Sequence, residues 1–259
     1  MRLKLFLHYL FVPFFLFAGV LTEELNFKKE DLVITSVDGY DLIVYSGKPM
    51  TMQKGAPLLP VLCYYFVIPS DAEVKNVEII SLEKEELLGR FIPYPAQSIK
   101  PISSGGRSEF VPPDPVIYSS QNSFPEQVIE NIPSGCLGGF RIACLNVYPV
   151  QYIGAEKKLV FYKKLKINIH YNEGVYEKTR LSKSQIELFS PVVKDFVSNP
   201  EMVEWFKPEI QDLRGDEVDY LIITSPSLKT NWNALVNWKT KKGLNTKVIG
   251  TDSIYAQYP

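Results

Sequence analysis

The sequence predicts a mainly β protein, an antiparallel β-sandwich followed by the first βαβ unit of a truncated α/β domain. Three observations predict it. Aromatic residues make up 13% of the 259-residue chain, with 15 Tyr, 15 Phe and 19 Pro, a composition that suits short strands joined by tight turns. From Leu159 to Tyr171, the residues Leu165, Ile167, Ile169 and Tyr171 point one way, and Lys164, Lys166, Asn168 and His170 the other, the period of a strand with one wet face. Beyond residue 218 the pattern changes, because Tyr220-Leu-Ile-Ile-Thr224 is a short continuous apolar run of the kind buried on both faces.

Taken in order, residues 1–22 read as a signal peptide. Arg2 and Lys4 precede an apolar run from Leu5 to Leu21, and Glu23-Glu24 brings charge back abruptly. The run is short for a membrane span and Pro13 interrupts it, so an uncleaved anchor is the alternative. Ala18, Gly19 and Thr22 are small residues near the expected cut, but no A-x-A triplet fixes the bond.

Residues 23–180 are expected to form the sandwich. Leu32–Thr35 and Leu42–Tyr45 flank Asp38-Gly39, which tolerates the positive φ angles of a tight hairpin. Val61–Ile68 and Val74–Ile80 are two further strands, separated by the turn residues Pro69-Ser-Asp71. Residues 91–134, with eight prolines among Ser, Gly and Asn, are expected to be a long irregular excursion. Strands return at Gly139–Pro149 and Leu159–Tyr171. A short helix signal from Ser182 is expected to stop at Pro191, and residues 181–217 to act as a connector. Residues 218–259 supply a strand, a helix from about Thr230 to Lys242 stopped by Gly243, a second strand at Thr246–Ile249 and the start of another helix capped by Asp252. A parallel strand pair with one crossover helix leaves a sheet face uncovered, so more α/β sequence is expected to follow.

Composition excludes several functions. With 28 Lys+Arg against 29 Asp+Glu, nothing attracts a phosphate backbone, and no nucleic-acid partner is expected. A membrane partner enters only through the N-terminal signal or anchor. Cys63, Cys136 and Cys144 are too few for a disulfide framework; Cys136 and Cys144 either bridge neighbouring strands or are small buried hydrophobes. No pair has metal-ligand spacing, no glycine cluster opens a helix after a strand, and no cofactor or metal is expected. Nucleophilic catalysis needs a thiol or hydroxyl beside a base. His170 is read as a solvent-facing strand residue and Cys136, in Pro133–Gly139, as a turn cysteine, so no catalytic residue is assigned. Arg214 starts an Arg-Gly-Asp tripeptide in the connector, and Arg107 lies in Ser103–Ser108 within the irregular excursion. An arginine on a polar connector is accessible to a protease, which makes both candidates for a processing site or an inhibitory loop.

Gly55-Ala-Pro-Leu-Leu-Pro60, Ile68-Pro-Ser-Asp-Ala-Glu-Val74 and Gly139-Phe-Arg-Ile-Ala-Cys-Leu-Asn-Val-Tyr-Pro-Val-Gln-Tyr152 resemble, in the right order, stretches of gingipain-type propeptides, and Lys158–Ile169 is placed like the last propeptide strand of that family. Asp219–Thr224, Leu235–Leu244 and Ser253–Tyr258 are similar to the opening of the gingipain catalytic domain. The resemblance implies a secreted cysteine endopeptidase precursor, whose β-sandwich prodomain chaperones and inhibits its own caspase-like catalytic domain. The Cys nucleophile and His partner are then expected beyond residue 259, and protein substrates belong to the full-length enzyme. The alternative is an exported β-sandwich adhesion or carbohydrate-binding module without enzymatic activity.

Overall fold

The computed structural model describes residues 18–98, 109–210 and 218–258. Most of the expected leader, and both Arg107 and Arg214, lie outside the described residues.

The strands of the first half are β1 (Ala18–Asn26), β2 (Leu32–Val37), β3 (Tyr40–Tyr45), β4 (Leu62–Ile68) and β5 (Glu73–Glu86). A single helical turn, α1 (Pro115–Tyr118), leads to β6 (Ser123–Phe124), β7 (Ile129–Leu137), β8 (Phe140–Val147), β9 (Val150–Ile153) and β10 (Lys158–Asn172). In the larger sheet β10 is central: β5 pairs with one side of it, β1 and β9 with the other, and β6 extends β9. The smaller sheet runs β4-β8-β7, all antiparallel. Leu165, Ile167 and Ile169 of β10 face Phe66 and Ile68 of β4 and Ala143, Leu145 and Val147 of β8 across one core, all with 0% exposure. The expected alternation of β10 therefore holds, and its wet face is laced by charge, with Lys164 2.9 Å from Glu24. The β2–β3 hairpin turns at Asp38 and Gly39, with φ of 51° and 82°, the positive angles that this dipeptide accepts.

Strand β1 begins at Ala18 and pairs continuously with β10, from Ala18 opposite Asn172 to Asn26 opposite Lys164. The expected leader boundary after residue 22 falls inside it. Leu21 and Leu25 are buried in the core.

Three segments depart from the sequence reading. Residues 129–137, expected to be irregular, form strand β7, and Pro133 is accommodated where the register slips between Ile132 and Gly135. A proline fits a strand only where the ladder is interrupted or unpaired. Helix α2 (Lys183–Phe196) does not stop at Pro191. Pro191 and Glu187, whose carbonyl loses its donor, lie on the exposed side, and the Ser190 hydroxyl donates to the Ile186 carbonyl at 2.7 Å, a bond that bends a helix and eases the ring past the preceding turn. The expected connector is, for most of its length, part of the fold. Val193 of α2, Val197 at its C-terminal cap and Val203 of the following turn (Pro200–Val203) pack on Val67, Phe140 and Ile142, the outer face of the smaller sheet. Ser198 N–H donates to the Tyr65 carbonyl at 2.7 Å. The fully buried Asn199 side chain accepts from Val67 N–H at 2.9 Å and donates to its carbonyl at 3.1 Å, completing the edge that β4 would otherwise leave open. The result is three layers: sheet, sheet and helix.

Two-residue strands β11 (Arg180–Leu181) and β12 (Glu209–Ile210) bracket the α2 segment and pair in parallel. The last unit comprises β13 (Tyr220–Thr224), α3 (Asn233–Lys241), β14 (Thr246–Gly250) and α4 (Thr251–Gln257), with β13 and β14 parallel and in register from Tyr220–Thr246 to Thr224–Gly250. Helix α3 ends as expected: Gly243 has φ of 84°, its N–H donates to Thr240 O, and Leu244 N–H donates to Lys239 O, the Schellman arrangement. Strand β13 is not buried on both faces. Ile222 and Thr224 are covered, while Leu221 and Ile223 on the other face are 48% and 57% exposed, because one crossover helix covers one side of two strands.

Candidate functional site

The described residues do not assemble a nucleophile with a base. His170 Nε2 lies 3.1 Å from Glu78 Oε2 on the outer face of the larger sheet, whereas all three cysteines belong to the smaller one. The cysteines are free thiols. Cys136 stands opposite Arg141 and Cys144 opposite Ile132; Arg141 and Cys144 are three residues apart on β8, so Cys136 and Cys144 point to opposite faces and do not bridge. Cys136 Sγ instead accepts from Arg141 Nη1 at 3.7 Å, and the same guanidinium stacks on the Tyr176 ring at 3.6 Å. Cys136 therefore sits on strand β7, not in a turn. Burial, with a smaller contribution from Cys63, pushes the Cys144 thiol up, toward the inert protonated form. Among the described residues no group of His, Cys, Asp and Glu has the geometry of a metal site.

The residues that the fold does bring together lie where α2 meets β13. Ser182 caps α2: its hydroxyl accepts from Gln185 N–H at 3.2 Å, and Gln185 Oε1 accepts from Ser182 N–H at 3.1 Å, a reciprocal capping box. Asp219, the residue before β13, places its carboxylate on this cap. Ser182 Oγ donates to Asp219 Oδ1 at 2.5 Å, Ser184 Oγ lies 3.2 Å from both carboxylate oxygens, and Gln185 Nε2 donates to the Asp219 carbonyl at 3.2 Å. The second oxygen, Oδ2, accepts from Asn245 N–H at 2.8 Å, at the entrance to β14. Partial burial pushes the Asp219 carboxyl up, but the Ser182 hydroxyl, the Asn245 amide and the Ser184 hydroxyl outweigh it and hold the group below the usual carboxylate range. The positive end of the α2 dipole favours the same charge. One carboxylate thus ties the sandwich's helix to both strands of the βαβ unit.

Just upstream, Arg180 and Leu181 pair with Glu209 and Ile210, Glu209 N–H donates to Thr179 O at 3.0 Å, and Lys178 and Arg180 both approach the Glu209 carboxylate. Ile210 and Asp219 are therefore fastened to the consecutive residues Leu181 and Ser182. Arg214 lies in the sequence between these two anchors. The capping box is legible as Ser182-x-x-Gln185, but the Ser182–Asp219 bond spans 37 residues and has no local signal.

A second carboxyl marks the contact of β1 with the segment after α2. Glu23 lies between Leu21 and Leu25 on the inward face of β1, opposite the fully buried Ile167. Burial first, and the charge of Glu201 second, push its carboxyl up to about 7.

Comparison with known proteins gives this junction a meaning. The family model Propeptide_C25 matches residues 24–203, and the model of Peptidase family C25 matches residues 214–259, so the first anchor, Glu209–Ile210, lies in the interval between the two matches and the second, Asp219, inside the peptidase match. No curated protein matches the chain. Among solved structures, the complex of Porphyromonas gingivalis RgpB pro- and mature domains aligns with a TM-score of 0.56 at 16% identity, covering 70% of this chain and 93% of that one. A structure described as giving insight into zymogenic latency of gingipain K from Porphyromonas gingivalis aligns with a TM-score of 0.46 at 16% identity, covering 60% of this chain and 98% of that one. The chain belongs to the C25 propeptide family: it is the prodomain of a gingipain-type cysteine peptidase precursor, running on into the opening of the peptidase sequence.

Proposed function

We propose that this chain is the N-terminal part of a secreted gingipain-like cysteine endopeptidase zymogen, in which the three-layered prodomain folds first, holds the peptidase domain and keeps it inactive. The observation that carries the reading is the junction itself. Asp219, at the opening of the peptidase segment, is bonded to the cap of prodomain helix α2, so the prodomain already grips the first strand pair of its partner. The complex of pro- and mature domains known for RgpB supports the same arrangement for this chain. The catalytic Cys and His lie beyond residue 259, and the enzyme's substrates are proteins. Arg107 and Arg214 are each candidates for a processing site or an inhibitory loop, Arg214 lying in the sequence between the anchored residues Ile210 and Asp219. The leader at the N-terminus exports the precursor to the cell exterior or surface.

Titrating the mature peptidase with the separate prodomain, residues 19–210, tests this. Stoichiometric loss of activity toward a peptide substrate is expected, weakened by at least tenfold in the Arg107→Ala variant. Undiminished activity at a tenfold molar excess of prodomain contradicts the reading and leaves a binding module.

A further inference from the structure

The amino terminus of the folded prodomain is legible in strand β1, and with it the bond at which the leader is removed. We infer that the mature chain begins at Gly19, the leader being cut at the Ala18–Gly19 bond; this rests on the proposed export of the precursor. Two independent constraints meet at that bond. From the folded side, β1 pairs with β10 from Ala18 onward, but Ala18 itself is exposed and Gly19 is the first residue that packs against a side chain of the sheet. Gly19 stands opposite Tyr171, whose ring lies over it so closely that a Cβ at position 19 would overlap the ring. Leu21 is buried in the core, Thr22 Oγ1 donates to Asn168 Oδ1 at 2.7 Å across the strands, and Glu24 reaches Lys164. A cut after Thr22 would remove the buried Leu21 and leave the Tyr171 ring without the backbone it covers. Leu21 belongs to the buried core cluster, so a chain beginning at Glu23 discards part of its own core.

From the leader side, export leaders end in a small-residue, A-x-A-like cleavage site; Ala18 supplies the small side chain immediately before the cut, with Leu16 at the third position. Residues 5–17 contain no Ala, Gly, Ser, Thr or Cys. Ala18 is the first small residue of the apolar run Leu5–Leu21, near its end, and the last residue whose loss leaves Gly19 and Leu21 in place. In the step, water adds across the Ala18–Gly19 amide: the C–N bond breaks, hydroxyl goes to the Ala18 carboxylate, and the proton goes to the new Gly19 amine. A membrane-bound leader peptidase of the exporting cell catalyses it.

The test is the intact mass and N-terminal sequence of the 259-residue chain recovered outside the cytoplasm of an exporting bacterial host. A start at Gly19 is expected. A start at Glu23, or at any other residue downstream of Met1, overturns the inference while leaving export standing. A chain that remains in the cytoplasm, or reaches the membrane with Met1 intact, overturns the export reading and the inference with it. Ala18→Tyr should abolish the Gly19 start, whereas Thr22→Tyr, on the outward face of β1, should leave it unchanged. The reverse pattern contradicts the assignment.

Discussion

The sandwich and the βαβ unit are built from similar apolar residues but use them differently. In the sandwich each sheet covers the other, and α2 covers the outer face of the smaller one, so Phe66, Val67, Leu145 and Ile167 are all fully buried. In the βαβ unit, Leu221, Ile223, Trp238 and Tyr255 are exposed on a two-stranded sheet with short helices. Two strands are too few to stand alone without packing on both faces. The difference teaches which part carries the folding information: the prodomain is complete within itself, and the peptidase opening leans on it through the Ser182–Asp219 contact.

The comparison breaks most readily at the core. Ile167→Ala, at the centre of β10, should lower the unfolding free energy of the 259-residue chain by about 2–5 kcal/mol, because a cavity between two rigid sheets closes poorly. Ile223→Ala, on the exposed face of β13, should shift the same transition by less than about 0.5 kcal/mol. Urea midpoints of the two variants measure both; similar losses would mean that the two regions unfold as one.

Asn199→Ala sharpens the claim that residues beyond α2 belong to the prodomain. It leaves the Val67 N–H and carbonyl without the Asn199 side chain, a loss of about 2–3 kcal/mol for buried backbone groups, read by thermal unfolding. A connector residue would cost almost nothing.

Glu23 gives the same contact a pH dependence. Its carboxyl is raised to about 7 by burial and by Glu201, so the folded state holds the proton more tightly than the unfolded chain. The contribution is fully present below the ordinary carboxylate range and is lost as pH rises through about 7. Glu23→Gln should therefore match the parent at pH 4 and exceed it at pH 8, on the order of 1–2 kcal/mol after allowing for solvent screening of a half-exposed group. Equal pH profiles would remove the carboxyl pair from the account.

The smallest effect belongs to the junction. Asp219→Asn should quicken amide hydrogen exchange at Asn245 and along β14 by up to about tenfold, the equivalent of roughly 1 kcal/mol for a partly exposed charged hydrogen bond, without altering the protection of α2. Ser182→Ala should affect both, since Ser182 caps the helix and holds Asp219. A role confined to capping would leave Asn245 unchanged.

Much of this was readable in the sequence for physical reasons. The alternation of Leu165, Ile167 and Ile169 with charged neighbours, Asp38-Gly39 at the hairpin and Gly243 at the end of α3 are local signals, and the structure places each as expected. What misled were residues whose usual effect is cancelled by a partner elsewhere. Pro191 signals a stop, yet the Ser190 back-bond and an exposed Glu187 carry the helix past it. Pro133 signals a loop, yet a register slip absorbs it. Asn199, in a polar stretch, signals a connector, yet it completes the edge of a strand 132 residues away. The junction was the least legible part, because Ser182 and Asp219 become partners only when the sandwich brings them together.

Urea unfolding of residues 19–210, beside that of the 259-residue chain and of residues 218–258, tests the central claim most directly. One cooperative transition is expected for residues 19–210, with a midpoint within about 0.3 M of the full chain's, and a broad, non-cooperative loss of structure for residues 218–258 alone. Non-cooperative unfolding of residues 19–210, or a sharp transition in residues 218–258, would contradict it.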